Sequence, residues 1–276
     1  MSKDVIPGKV SVIMGIYNCG DTLAEALDSI LAQTYTNWGL IMCDDGSTDD
    51  TYAVAETYCR RYPGNMVLLK NDRNMGLNFT LNRCLEEVDG EYIARMDGDD
   101  LSMPERLEKE IAALNAHPNM AIVSTAMQHF DESGIWGQGT VIPFPQPKDF
   151  VRGTPFCHAP CLVRREAYEA VEGYTDKPEF LRAEDYELWI KMYEKGYRGM
   201  NLEEPLYQMR DDRRAVSRRK FKYRITEFRV RCAAVKRLHL SKVGYLYALR
   251  PILVGVLPAG LYRQLHRKRL QNKKQI

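Results

Sequence analysis

The chain has 276 residues, 45% of them hydrophobic, enough apolar material for one large core or two modest ones. Disorder as the main state is excluded. The net charge is only +2, yet Lys and Arg number 19 against 34 Asp and Glu up to Pro205, and 20 against 3 from Leu206 onward.

In chain order, short apolar runs alternate with helical patterns. They read "KVSVIMGIY", "DTLAEALDSILAQ", "WGLIMCDD", "TYAVAETYCRRY", "MVLLKN", "LNFTLNRCLEEV", "EYIARMD" and "PERLEKEIAALNAH". Strand and helix take turns four times, which predicts right-handed crossovers and a mainly parallel α/β sheet with helices on both faces. Ligands of such sheets gather at the carboxyl ends of the strands.

Each strand end carries a polar or Gly-rich tip. The first ends in Gly15-Ile16-Tyr17-Asn18, the second in "DDGSTDDT", the third leads to "NDRNMGL", and the fourth ends in Asp97-Gly98-Asp99-Asp100. "DDGSTDDT" also reads as a turn glycine with helix caps at Ser47 or Thr48, and Pro104 suits a first helical turn. The carboxylates at the fourth tip must offset their mutual repulsion with solvent or a cation. Hard oxygen ligands suit Mg2+ or Mn2+ shared with substrate phosphates. Neither acidic cluster has the spacing of an EF-hand, and "GIYNCGDTL" after the first strand is neither a P-loop nor a dinucleotide fingerprint.

Five motifs in this order, "VSVIMGIYN", "DDGSTDDT", "RNMGLNFTLNRCL", "GEYIARMDGDD" and "RAEDYELWIKMYEKG", resemble the family 2 glycosyltransferases over about residues 9–209. The resemblance implies the glycosyltransferase A fold, a Rossmann-like sandwich joined to an acceptor-binding part, and a nucleotide-diphosphate sugar donor used with Mn2+ or Mg2+. It implies a catalytic domain over residues 1–209, with a donor part to about 126 and an acceptor part to about 209.

By the same resemblance Asp99 ligates the metal, and Asp97 stands at the metal and toward the ribose and sugar, with Asp100 behind them. Asp45 holds the nucleotide base, commonly uracil. Gly15 and Tyr17 pack around it, and Asn74 and Gly76 shape the pocket. Arg95 adds a cation near the phosphates or pairs with a structural acid such as Glu91. Asp185 is the base that deprotonates the acceptor hydroxyl, with Glu184 as its acceptor-side neighbour, and the single displacement inverts the anomeric centre. Without the resemblance, Glu184 and Asp185 are equally ordinary acids in the first turn of an amphipathic helix that buries Leu188, Trp189, Met192 and Tyr193 and stops at Gly196.

In "TPFCHAPCLVRREAYEAVEGY", Cys157, His158 and Cys161 supply too few ligands for a zinc site, so a packed loop near the donor sugar is expected, with His158 touching phosphate or acceptor. Of the three tryptophans only Trp136, in "SGIWGQG", is expected at the surface; Trp38 and Trp189 read as core. Seven cysteines without a CxxC pair suit a reduced compartment, and "MSKDVIPGKV" has no secretory leader pattern, so a cytoplasmic chain starting near residue 1 is expected.

Residues 210–276 form a basic helical tail. Its apolar run from Pro251 to Tyr262 has 12 residues, against roughly 20 needed to span a bilayer. Peripheral contact with the cytoplasmic face of a membrane is therefore expected. No zinc finger, RNP signature or helix-turn-helix supports nucleic-acid binding. The expected function is transfer of a sugar, from a UDP-sugar in preference, to a glycan or lipid-linked acceptor in cell-surface polysaccharide synthesis. A catalytically silent nucleotide-sugar-binding module is the alternative. A phosphotransferase would need a DxDxT-like continuation, whereas Asp99 is followed by Asp100-Leu101.

Overall fold

From Val10 onward strand β1 (Ile6–Ile16) is buried on both faces, which is what its run of apolar residues demands. Val10, Val12, Met14 and Ile16 point to one side and Ile13 to the other. The structure, a computed structural model, describes residues 3–210 and 221–255.

β1 pairs in parallel with β2 (Trp38–Asp44) on one side and β4 (Gly90–Arg95) on the other, and β3 (Met66–Lys70) extends the sheet beyond β2. Beyond β4 the order continues through β8 (Leu162–Arg164), β6 (Ile122–Asp131), β9 (Gly199–Arg210) and the two-residue β5 (Leu101–Ser102), while β7 (Gly134–Gln138) pairs with β6. β8, β5 and β7 run against the other six strands.

Helices α1 (Gly20–Leu31), α2 (Thr51–Arg61) and α4 (Arg106–Ala116) cover one face. The other is covered by α3 (Leu77–Glu86), α5 (Arg165–Ala170), α6 (Glu184–Glu194) and α7 (Phe221–Arg237). Strand order reverses between β1 and β4, because the chain steps outward from β1 through β2 to β3 and then returns to its other side. A crevice opens at such a switch point.

Among the basic residues beyond Arg210, α7 places Val230 and Ala234 in the core. Arg237 pairs with Glu187 and Glu194 of α6, and Arg231 donates to the Val151 carbonyl and to Glu227. Part of the excess positive charge therefore answers acids of the same chain. Short helices α8 (Gly244–Ala248) and α9 (Arg250–Gly255) follow. No helix of the described residues is long and apolar enough to cross a membrane. The apolar run expected from Pro251 to Tyr262 lies outside the described residues beyond Gly255.

Candidate active site

A cleft of about 420 Å³ occupies the switch point, lined by Gly15, Tyr17, Asn18, Asp97, Asp99 and Arg210 among others. Its floor depends on Gly98. A Cβ there would lie 2.9 Å from the Cys19 sulfur and 3.1 Å from Ile16 Cγ2, so only glycine lets the acidic turn press onto the end of β1. Thr22 of α1 fastens the same turn by donating its hydroxyl to the Gly98 carbonyl at 3.1 Å.

The carboxylates of Asp97, Asp99 and Asp100 bring ligand oxygens within 4.8 Å of one another. Burial, and then the charge of Asp97, raise the Asp99 carboxyl above its ordinary range. Asp100 is raised well above it, first by burial and then by its two acidic neighbours. The adjacent cations are already engaged. Arg95 is ion-paired with Asp97, and Arg210 donates Nε to the Asp99 carbonyl and pairs with Glu25. A trio of hard oxygen donors whose mutual repulsion these cations offset only in part fits a small divalent cation.

Arg95 does not pair with Glu91, which instead accepts the Gly8 N–H at 2.8 Å. At 5% exposure Arg95 needs a close partner, and Asp97 two residues on provides it. Asp100 is equally fixed. It accepts the Arg210 N–H at 2.8 Å, and Tyr207 links the strands by accepting the Asp97 N–H at 3.2 Å. The antiparallel pairing of β5 with β9 places Tyr207 and Arg210 there.

Asp45 sits at the second strand end and is buried. One of its oxygens accepts from Asn71 Nδ2 at 2.7 Å and the Met75 N–H at 2.8 Å, the other from the Gly76 N–H at 2.9 Å. It thus shapes the "NDRNMGL" loop, in which Asn74 is exposed and Gly76 has φ +93. Gly46 completes the packing. Its φ is +73, and a Cβ would lie 2.6 Å from the Arg73 carbonyl carbon. Ser47 and Thr48 do not cap α2 as the sequence suggested. Ser47 accepts the Asn18 N–H, and the Thr48 N–H donates to Asn18 Oδ1, so both tie the second tip to the first.

The expected acid pair opens α6, whose inward residues Leu188, Trp189, Met192 and Tyr193 are all buried. Gly196, at φ +94, follows its last turn. Burial raises the Asp185 carboxyl, opposed by the Tyr186 N–H and by the charge of Arg95. Glu184 is also raised by burial, and its Oε2 has no hydrogen-bond partner among the described residues. Arg95 therefore acts on both acidic groups, Asp97 by contact and Asp185 through its field.

His158 stands in the same field. Its Nε2 lies 2.8 Å from the Tyr174 hydroxyl, which is 3.0 Å from that of Tyr168. Burial, then the Arg95 charge, depress its basicity well below the ordinary histidine range, which makes it a neutral hydrogen-bonding group. Cys161 donates its thiol to the Cys157 carbonyl. Trp136 is half-buried rather than exposed, with its ring 5.3 Å from that of His129.

Arg210, Tyr207 and Thr22 are the contributors that motif reading missed. Arg210 looked like the first residue of a basic tail, and only the pairing of β9 with β5 brings it to the acids.

The model of the family described as Glycosyl transferase family 2 matches residues 11–171. EpsE of Bacillus subtilis (strain 168), whose name places it among glycosyltransferases, is 44% identical over 97% of this chain and 96% of its own. WfaP of Escherichia coli, named a UDP-Glc:alpha-D-GlcNAc-diphosphoundecaprenol beta-1,3-glucosyltransferase, is 27% identical over 88% of this chain and 94% of its own. Among solved structures, S. aureus TarS 1-349 with UDP-GlcNAc superposes with a TM-score of 0.65 at 18% identity, covering 88% of this chain and 70% of that one. The mannosyltransferase PcManGT of Pyrobaculum calidifontis, in complex with GDP-Man and Mn2+, gives 0.62 at 20% identity, over 93% and 79% of the two chains. The match over more than half of the chain, together with the fold and its acidic strand tips, establishes that this protein belongs to glycosyl transferase family 2.

Proposed function

We propose that the protein is an inverting glycosyltransferase that moves a sugar from a UDP-sugar to a hydroxyl of a lipid-linked glycan during cell-surface polysaccharide synthesis. The observation that carries this reading is the pairing of an acidic trio at the sheet's switch point with a half-buried carboxylate, Asp185, under the field of one arginine. Asp99 and Asp97 would hold Mn2+ or Mg2+, which when bound neutralises charge on the departing nucleoside diphosphate. The Mn2+ and GDP-Man of the Pyrobaculum enzyme and the UDP-GlcNAc of TarS support that assignment.

In this reading Gly15 and Tyr17, which line the cleft, pack around the base, and Asp45, Asn74 and Gly76 of the neighbouring strand end and loop hold it. Arg95 orients Asp97 toward the sugar. Asp185 takes the proton of the acceptor hydroxyl as the new bond forms, and its raised carboxyl makes it a stronger base than an exposed aspartate. Glu184 and His158 border the acceptor. Attack opposite the leaving group gives a β-linked product from an α-linked donor. The named substrate of WfaP supports a diphospholipid-linked acceptor, met by a peripheral enzyme at the cytoplasmic face of the membrane.

The test offers a panel of UDP-hexoses with Mn2+ to the enzyme and a synthetic GlcNAc-diphospholipid, and follows UDP release and product stereochemistry. One donor yielding a β-linked product is expected. Retention of the α configuration would contradict the assignment of Asp185 as base.

A further inference from the structure

Helices α8 and α9 expose a concentration of large apolar side chains. Val243, Tyr245, Leu246, Tyr247, Leu249 and Leu253 all face solvent, with Leu246 69% and Leu253 66% exposed. Singly such residues mean little, but six within eleven positions mark an interaction surface. Exposed Lys242 and Arg250 stand among them.

We infer that α8 and α9 form a docking surface for an anionic lipid bilayer, with the apolar side chains entering the headgroup boundary and the cations meeting lipid phosphates. Charge selects this occupant. A second copy of the chain would bring Lys242 and Arg250 against their own kind. Residues 256–276, with six Lys and Arg and no acid, carry the same sign. An anionic surface complements all of them, and apolar insertion beside basic residues is how amphipathic segments lie on membranes.

The surface is mechanically joined to the candidate base. Gly244 of α8 packs against Val235 of α7 and Val151 of the 3-10 turn Pro147–Val151. The preceding carbonyl of that turn, Phe150, accepts the hydroxyl of Tyr186, the residue after Asp185. A membrane seated on α8 and α9 would present lipid-linked glycans on the acceptor side, a consequence that rests on the acceptor reading above, although the docking itself does not.

The experiment sediments the full-length protein with vesicles of phosphatidylglycerol and phosphatidylcholine, or of phosphatidylcholine alone, without nucleotide or metal. Selective pelleting with the anionic vesicles is expected, weakening in 1 M salt. L246S/L253S is expected to lower the partition coefficient at least tenfold with an unchanged melting temperature, and K242E/R250E, which leaves the apolar residues in place, to lower it too. The inference is overturned if wild type does not pellet, if both variants pellet like wild type, or if light scattering shows a dimer that L246S/L253S dissociates. A protein that pellets but binds no nucleotide would sink the enzymatic reading alone, and one that binds nucleotide but not vesicles would sink this inference and the peripheral membrane contact proposed above, leaving the sugar-transfer reading in place.

Discussion

Arg95 is the residue on which the two halves of the site converge. It neutralises Asp97 by contact, and its field lowers a carboxyl at Asp185 that burial has raised. A base must be ionised to act, so activity should fall on the acid side at a pH above the ordinary aspartate range. Arg95→Met removes a cation that favours the ionised form, and the acid limb should then move to higher pH in a kcat profile. An unmoved limb would mean that another group is the base. The aspartates themselves were legible because three acids after an apolar strand are hard to explain otherwise. The partner of Arg95 was open between a phosphate and Glu91, because sequence spacing does not reveal which acid a buried guanidinium reaches.

At the scale of elements, the acidic turn is held from both sides. Arg106, fully buried at the start of α4, donates to the Arg95 carbonyl at 2.9 Å, lies over the Tyr207 ring and pairs with buried Glu110. Burial pushes Glu110 up to about 8, and the Arg106 charge opposes the rise. Arg106→Met should cost about 3–5 kcal/mol, the usual result of stripping one partner from a buried pair. Because the folded-state carboxyl is raised above its unfolded value, its stability contribution is lost as pH rises through that range. The variant raises it further, so its deficit should be larger at pH 8.5 than at pH 6 in urea unfolding. Equal deficits would show that Glu110 does not titrate there. Gly98→Ala should displace the turn and weaken nucleotide binding at least tenfold by calorimetry, since the added methyl meets Cys19 and Ile16. The parallel strands and their helices were readable from alternating periodicities. Three-residue β8 and two-residue β5 were not, for runs so short carry no period.

For the molecule as a whole, the basic region beyond Arg210 is partly structural. Val230 and Ala234 complete the core over α6, and Arg237 answers Glu187 and Glu194. Fully burying a valine contributes roughly 1.5–3 kcal/mol, and several such side chains are involved. A chain ending at Arg210 should therefore lose cooperative thermal unfolding in calorimetry, not only vesicle binding. A sharp transition near the full-length melting temperature would contradict this. Charge counting found the asymmetry but not its destination, because the answering acids lie 43 and 50 residues earlier in the chain.

The most direct test of the central claim is calorimetric titration of UDP with Mn2+, and with EDTA, into wild type, Asp99→Ala and Asp185→Asn. Binding that requires metal, vanishes in Asp99→Ala and survives in Asp185→Asn is predicted, with turnover of the last lowered by about 10²–10⁴. Equal loss of affinity in both variants, or binding indifferent to EDTA, would contradict the division of the site into a donor-holding acidic turn and a separate base.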